Sequence, residues 1–336
     1  MDLSTPLNVA GIEIRNRVFL APMSGVSDVP FRNLAWEYGA GLVVSEMVAS
    51  QALVEGEAGM ALKADCGELP VRVVQIAGCE AKWMALAAQM AVQSGAHIVD
   101  INMGCPAKRV INAYSGSALM RDLDHAISLV EAVVDAVDVP VTLKMRLGWD
   151  DASINAQELA KRAEATGVQI ITVHGRTRCQ FYKGQANWDM VKRVREAVRV
   201  PLVVNGDIVC AATADEAIRK SGADAVMIGR GAYGNPWIAG QIAGEISSKE
   251  AFALQNTPDT VTRHYDSILD HYGEVLGLRL SRKHLGWYLD NLTLDDDQVK
   301  LRKELLTSFN SEFVKDRIME IYQSCSAKQT YPAVAA

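Results

Sequence analysis

No stretch of the 336-residue chain is apolar for long enough to cross a bilayer, and no apolar run follows a basic start between Met1 and Glu13. A cytoplasmic protein with no membrane contact is the expectation. Cysteine is sparse and scattered: Cys66, Cys79, Cys105, Cys179, Cys210 and Cys325 include no Cys-x-x-Cys pair, and no histidine stands at metal-ligand spacing. Neither a disulfide framework nor a metal site is expected from that pattern. An excess of positive charge is missing too. With a formal net charge of −6 the surface as a whole does not attract nucleic acid, so any such contact must come from a local basic patch. Aromatics make up only 6% of the chain, yet 49% is hydrophobic, which allows one large aliphatic core and excludes a disordered or fibrous protein.

Short β-type runs recur at Arg17 to Leu20, Leu42 to Ser45, Val71 to Ile76, His97 to Ile101, Val141 to Met145, Ile170 to Val173, Leu202 to Val204 and Ala225 to Ile228. Amphipathic helical stretches such as Ala81 to Ser94 and Ile154 to Thr166 separate them. Eight βα units at this spacing make an α/β protein with a closed (βα)8 TIM barrel. The junctions repeat as well: Gly39, Gly95, Gly167 and Gly222 stand where a left-handed residue stops a helix, and Pro140 and Pro201 end a helix and open a strand. Residues Leu7 to Ile14 suit a short hairpin closing the barrel bottom. After Gly244 the strand signal stops. From Asp259 to Gln323 the pattern is entirely helical, with breaks expected at Gly273, Gly277 and the acidic run Asp295 to Asp297. Ser247 to Pro258 reads as a connection, dividing a catalytic barrel over residues 1–246 from an all-helical C-terminal domain over 259–325, and the residues from Ser326 read as a tail.

The C-terminal strand ends of such a barrel converge on one site. Here they are Ala21, Pro22 and Met23; Ser45 and Glu46; Gln75; Asn102 with Cys105; Lys144 and Arg146; His174, Gly175 and Arg176; Asn205, Gly206 and Asp207; Gly229 and Arg230, nearly all polar. Between Val141 and Leu147 the aliphatics alternate with Thr142, Lys144 and Arg146. If the aliphatics face the surrounding helices, Lys144 points into the barrel mouth, where a buried ammonium needs an anionic or strongly accepting partner. His174 shares parity with Thr172. Alone, such a lysine is a snorkelling rim residue and such a histidine a satisfied core one; together with the amides of Gln75 and Asn102 they read as a site. The ends Asn205-Gly206-Asp207 and Gly229-Arg230-Gly231 fall on the two strands after which barrels commonly hold phosphate, and Arg230 adds a cation capable of bidentate contact. Phosphate end, lysine and neutral amide face together describe a seat for FMN. Lys144 would lie near the edge where charge gathers on flavin reduction, and Ala21, Pro22 and Met23 would form a dry wall.

Cys105 follows the strand-like Ile98 to Ile101 and the amide of Asn102, between Gly104 and Pro106, which force the chain out of the sheet. It is either a thiol presented to a substrate or a small buried hydrophobe; on these residues alone both readings stand.

The stretches APMSGVSDVPFR (Ala21 to Arg32), VQIAG (Val74 to Gly78), DINMGCP (Asp100 to Pro106) with SGSAL (Ser115 to Leu119), LKMRLGW (Leu143 to Trp149), VHGRT (Val173 to Thr177), VNGDI (Val204 to Ile208) and MIGR (Met227 to Arg230) occur in order on every expected strand end. Over about residues 10 to 325 the sequence resembles the tRNA-dihydrouridine synthases, and within them the bacterial B-type branch, whose members include proteins named for nitrogen regulation. The resemblance implies an FMN barrel with a C-terminal helical domain that reduces the C5=C6 bond of specific uridines in tRNA, NADPH supplying the hydride and NADH being the other candidate. Carried onto this chain, it makes Cys105 the general acid that protonates C5 after hydride reaches C6, and makes Ala21, Pro22, Met23, Gln75, Lys144, Asn205, Gly206, Asp207, Gly229 and Arg230 flavin contacts. It puts His174 at the flavin too, and Asn102 and Arg176 at the uracil. An ordinary thiol, with a pKa of about 8.5, holds its proton at neutral pH and can donate without an activating base.

A base reaching the barrel floor must leave its stack, and contacts elsewhere on the tRNA must offset that cost. Lys108 and Arg109 on the loop after Cys105, Arg176 and Arg178 after the sixth strand, and the run Arg279, Arg282, Lys283, His284 ahead of Trp287 and Tyr288 are the candidates. Charges on an exposed helix are usually only a solvated face, and it is the resemblance that marks this run as tRNA-facing. One departure stands out: after Val110, where relatives often carry further basic residues, this chain has Ile111, Asn112, Ala113 and Tyr114. That predicts a weaker phosphate grip on a mobile loop, or Tyr114 stacking on a base instead.

Two other classes fit part of the pattern. A small-molecule FMN pyrimidine enzyme, similar to the dihydroorotate or dihydropyrimidine dehydrogenases, would share the Asn-x-x-Cys-Pro strand end but would not need the basic helical appendage. A non-catalytic RNA-binding regulator would not need Cys105 and Lys144. The expected partner is tRNA, with the protein acting as a monomer.

Overall fold

A computed structural model describes residues 1–326. The tail expected beyond Ser326 lies outside the described residues. Strands β1 (Leu7–Val9) and β2 (Ile12–Ile14) form an antiparallel hairpin whose two loop residues, Ala10 and Gly11, both have positive φ (49° and 88°). That is the geometry of a tight two-residue hairpin turn. Eight parallel strands follow: β3 (Val18–Leu20), β4 (Leu42–Ala49), β5 (Val73–Ala77), β6 (Ile98–Met103), β7 (Val141–Arg146), β8 (Ile170–His174), β9 (Leu202–Asn205) and β10 (Ala225–Ile228). They close into a barrel, β10 pairing with β3. All eight β-type runs read from the sequence are these strands.

Period-2 alternation sorts the barrel's two faces. Val99, Ile101, Leu143, Met145, Ile171, Val173 and Val204 turn outward into one core with the surrounding helices. Inside, Phe19, Leu42, Val44, Val73, Ile98, Ile170, Val203 and Ala225 fill the lower end and pack on Leu7, Val9 and Ile14 of the hairpin, which plugs the bottom as expected. The interior is therefore dry below and polar above. A register shift in β4 between Val44 and Met47 breaks the alternation once. The extra residue reverses the parity, so Met47 faces the barrel mouth and Glu46 does not.

Gly39, Gly95, Gly167 and Gly222 all have positive φ at helix ends, as their spacing predicts. The stretch Ser247 to Pro258, read as a connection, is itself helical, Ser247 and Glu250 forming a reciprocal cap that starts a helix over Ser248–Asn256. Two local expectations are corrected. Gly277 does not break the Glu274–Asp290 helix but lets it cross the Asp259–Tyr272 helix, since a Cβ there would lie 3.0 Å from Leu269 Cα. Lys108 and Arg109 lie on a short helix, Lys108–Asn112, rather than on a loop. The helices Asp259–Tyr272, Glu274–Asp290, Asp296–Thr307 and Ser311–Ser326 share a second core built around Tyr265, Leu285, Tyr288, Leu289, Ile318 and Tyr322. Among the described residues no helix is long and apolar enough to cross a membrane.

Candidate active site

The polar strand ends enclose a cavity of about 450 Å³. Ala21, Pro22, Met23, Gln75, Asn102, Cys105, Lys144, His174, Asn205, Gly206, Asp207, Gly229 and Arg230 all line it. It is bounded as well by Arg146, which the strand-end pattern names without a role, and by Met47, Phe181, Tyr182 and Tyr233, which were not among the candidate residues. Met47 depends on the β4 bulge, and the Phe181–Tyr182 pair stands on an irregular loop whose course no periodicity announces.

The thiol is placed by a chain of buried hydrogen bonds. Asp100 lies on the barrel axis side of β6, taking Gln75 Nε2 at 2.6 Å and Thr142 Oγ1 at 2.5 Å; burial pushes its carboxyl up while these two bonds oppose the shift. Gln75 then accepts from Asn102 Nδ2 at 2.8 Å, and Asn102 Oδ1 accepts the backbone N–H groups of Gly104 (3.1 Å) and Cys105 (2.9 Å). Thus Asn102 turns the chain at the strand end, and one of its N–H bonds is left to face the cavity. From the other side Ser117 donates its N–H (3.1 Å) and hydroxyl (2.8 Å) to the Cys105 carbonyl. Gly116, at φ +60°, passes so close that a Cβ would lie 2.9 Å from that carbonyl oxygen. The Ser115 to Leu119 motif is a clamp on the thiol's backbone.

Opposite stands a cluster of cations. Burial, then Arg146, lowers the Lys144 pKa to about 8 against the opposing pull of Asp100. Its Nζ donates to Asn205 Oδ1 at 3.2 Å, and the Asn205 amide is fixed in turn by its bond to the Met227 carbonyl (2.8 Å). Burial, reinforced by Arg146 and Lys144, holds His174 well below its ordinary pKa, so the imidazole is neutral at physiological pH. Arg146 bridges the two sides, donating to the carbonyls of Gly104 (2.8 Å), Thr177 (2.9 Å) and Phe181 (2.9 Å). Asp207 pairs with Arg176 at 2.6 and 2.9 Å and lies 3.5 Å from Arg230, which stands over the Tyr182 ring at 4.7 Å.

Arg176, expected at the uracil, does not line the cavity. Its guanidinium is consumed by Asp207 and by the carbonyls of Lys183 (3.1 Å) and Gly184 (2.6 Å), behind the pocket wall. The outlying basic residues divide. Lys108, Arg109 and Arg279 are exposed, while Arg178 is half-buried on the Trp149 ring (4.8 Å), which Arg121 also covers (5.0 Å). Arg282 donates to the Ser308 carbonyl (3.0 Å) and stacks on the exposed Phe309 (4.8 Å). Lys283 and His284 turn inward, the histidine only 2% exposed between Phe31, His264 and Trp287. The 100° step per residue turns 284 well away from 279 and 282, while 283, one turn after 279, stands at the edge between the exposed and buried sides. His284 is in no position to touch tRNA. Among the described residues, no group of three or more potential metal-ligating side chains is gathered.

Residues 19–324 match the family model for dihydrouridine synthase. A protein of Rhizobium leguminosarum bv. phaseoli named a probable tRNA-dihydrouridine synthase is 57% identical over 279 residues, 83% of this chain and 87% of its own. The tRNA-dihydrouridine synthase B of Vibrio vulnificus is 43% identical over 287 residues, 84% of this chain and 89% of its own. Among solved structures, a 2-naphthoyl-CoA reductase in complex with 2-naphthoyl-CoA superposes on 97% of this chain and 69% of its own, with a TM-score of 0.61 at 12% identity, which is a likeness of fold.

Proposed function

The chain belongs to the dihydrouridine synthase family, and from that premise we propose that it reduces the C5=C6 bond of specific uridines in tRNA, using FMN seated in the barrel and NADPH as the electron source. The observation that carries this reading is the pairing, across one cavity, of a half-buried lysine and two glycine-bearing strand ends with a thiol on a clamped turn.

The residues present fit FMN. The Cβ position of Gly229 opens between Ala21 and Met23, 3.9 Å from each, so a side chain there would fill the space between the dry wall and the phosphate end. Gly206, Gly229 and Arg230 would hold the phosphate, with Asp207 keeping Arg230 in place. Lys144, short of full counter-charge, would meet the ring edge on which negative charge accumulates. Bound FMN would supply hydride to uracil C6. Cys105 would then give its thiol proton to C5, the Asn102 and Ser117 bonds holding the backbone so that the sulfur stays at one height above the floor. Neutral His174 and the remaining N–H of Asn102 can donate hydrogen bonds without adding charge. Arg279 and Arg282 on the outer helix face, with Lys108, Arg109 and Arg178 on the barrel rim, are the basic patch we assign to the tRNA backbone. In this reading residues 1–246 are the catalytic unit and 259–325 the tRNA-binding one.

The test is dihydrouridine content, mapped by position, in tRNA from a strain lacking the gene and complemented with wild type or Cys105→Ala. Loss at defined positions, restored by wild type and by the variant at a rate about 10² to 10⁴ lower, is the expected result for removal of a general acid. Unchanged dihydrouridine at every position would sink the proposal.

A further inference from the structure

The resemblance assigns Lys283 to RNA, but in the structure it lies against the turn at Gly25. Its side chain is half-buried, and the opposite charges that act on its ammonium are two buried carboxylates, Asp28 (5% exposed) and Glu46 (4% exposed). Nζ lies 3.3 Å from where a Gly25 Cβ would stand. Gly25, at φ +73°, is the tip of a tight turn in which Ser27 Oγ accepts the Met23 N–H (2.8 Å) and the Met23 carbonyl accepts the N–H groups of Val26 (2.9 Å) and Ser27 (3.0 Å). Glu46 accepts the Gly25 N–H from the barrel side at 2.5 Å. Asp28 caps the following helix by accepting the Phe31 N–H (3.1 Å), and Tyr272 of the C-terminal helices stands near the same carboxylate. The turn against which Glu46 and Lys283 stand follows directly on Ala21, Pro22 and Met23, the pocket wall.

We propose that Lys283 is a positioning residue of the active site, holding the Met23–Ser27 turn and its pocket wall in register from the helical layer. The inference rests on the reading of that wall as part of a flavin seat. Moving Lys283 onto an RNA phosphate would leave Asp28 and Glu46 buried with Arg32 as the nearest remaining cation, and Arg32 is already tied to the carbonyls of Ser27 and Asp65. One helical turn on, and on the same face, Trp287 stacks on Tyr233 at 4.0 Å and 12°, and Tyr233 lines the other end of the cavity. A single helix face thus grips the loops after β3 and β10. Arg279, one turn before Lys283, stays exposed for a partner.

The experiment compares wild type, Lys283→Met and Lys283→Arg, each as the full chain loaded with FMN. For Lys283→Met we expect a displaced visible flavin spectrum and an FMN dissociation constant raised about tenfold, because misplacement of a wall by a fraction of an ångström suffices. At saturating tRNA kcat should fall while the KM for tRNA stays within about twofold, and Lys283→Arg, which keeps a long cation beside the two carboxylates, should recover both. A KM raised about tenfold at unchanged spectrum and FMN affinity would make Lys283 an RNA contact and overturn the proposal. A variant indistinguishable from wild type in spectrum and FMN affinity would also overturn it. Wild type that takes up no FMN would instead bring down the flavin reading itself. Should Lys283→Met not fold, Glu46→Gln tests the barrel side of the same charge cluster at a position RNA does not reach: the same spectral displacement supports the proposal, and unchanged FMN binding rejects it.

Discussion

Lys144 is a cation built into a place that does not fully neutralise it, and the consequence is a measurable pH dependence. Its pKa falls from 10.5 to about 8 in the folded chain, chiefly through burial and then through Arg146. Between those two values the unfolded chain holds a proton that the folded chain has released, so this residue's contribution to stability rises with pH across that window and is lost as pH falls back through about 8. Thermal melting of flavin-free protein should therefore show Lys144→Met more stable than wild type at pH 7, with the gap closing toward pH 10.5. A ligand that brings negative charge to Nζ favours the protonated lysine. FMN affinity should accordingly decline above about pH 8 in wild type and much less in Lys144→Met, as followed by flavin fluorescence. An equal decline in both would remove Lys144 from the flavin edge. His174 carries no matching effect at neutral pH, since burial already keeps it uncharged there.

Elements were legible in the sequence to the extent that a local rule writes them. Strict alternation in β7 and β8 announces which side chains enter the barrel, and the helix-ending glycines punctuate the repeats, so the barrel and most of the cavity lining follow from pattern alone. The β4 bulge is invisible because it is a property of pairing between strands, and it exchanges Glu46 for Met47 at the pocket. Gly277 was misjudged for the same reason: a glycine in a helical pattern is a break by local rules, and only the crossing helix makes it a contact. This gives a matched pair within one helix. Alanine gains about 1 kcal/mol over glycine in a helix interior, and at Gly286, where a Cβ would meet only Arg302 Nη2 at 3.8 Å, the gain should appear as a raised Tm. At Gly277 the Cβ would stand 3.0 Å from Leu269 Cα and 3.1 Å from the Ile268 carbonyl, backbone atoms that cannot swing aside. Overpacking of that kind costs about 1–3 kcal/mol, so Gly277→Ala should melt lower than wild type. A Tm rise in both variants would mean that the two helices part without penalty.

At the scale of the molecule, a protein of net charge −6 must present its basic residues selectively if it is to bind tRNA, and the fold does the selecting. The run from Arg279 to His284 looks uniform in sequence, yet docking the Glu274–Asp290 helix on the barrel sends Lys283 to Asp28 and Glu46, buries His284 against Phe31, and leaves Arg279 in solvent. Arg176 is likewise drawn into the barrel by Asp207. Which cations remain available is decided by tertiary partners far away in sequence, and for that reason the cavity lining was legible while the exposure of the outlying cations was not. The division predicts how binding responds to salt. Each phosphate neutralised on a structured RNA adds about 0.7 to 0.9 to the slope of log K against log salt. Arg279→Ala should weaken tRNA binding and flatten the slope by about that amount. His284→Ala should lower the Tm through the lost packing on Phe31 and Trp287 while leaving the slope unchanged. Titrations of both variants at several salt concentrations decide the matter: a flattened slope for His284→Ala would place that residue at the RNA, and an unaltered one for Arg279→Ala would move the docking surface off this helix.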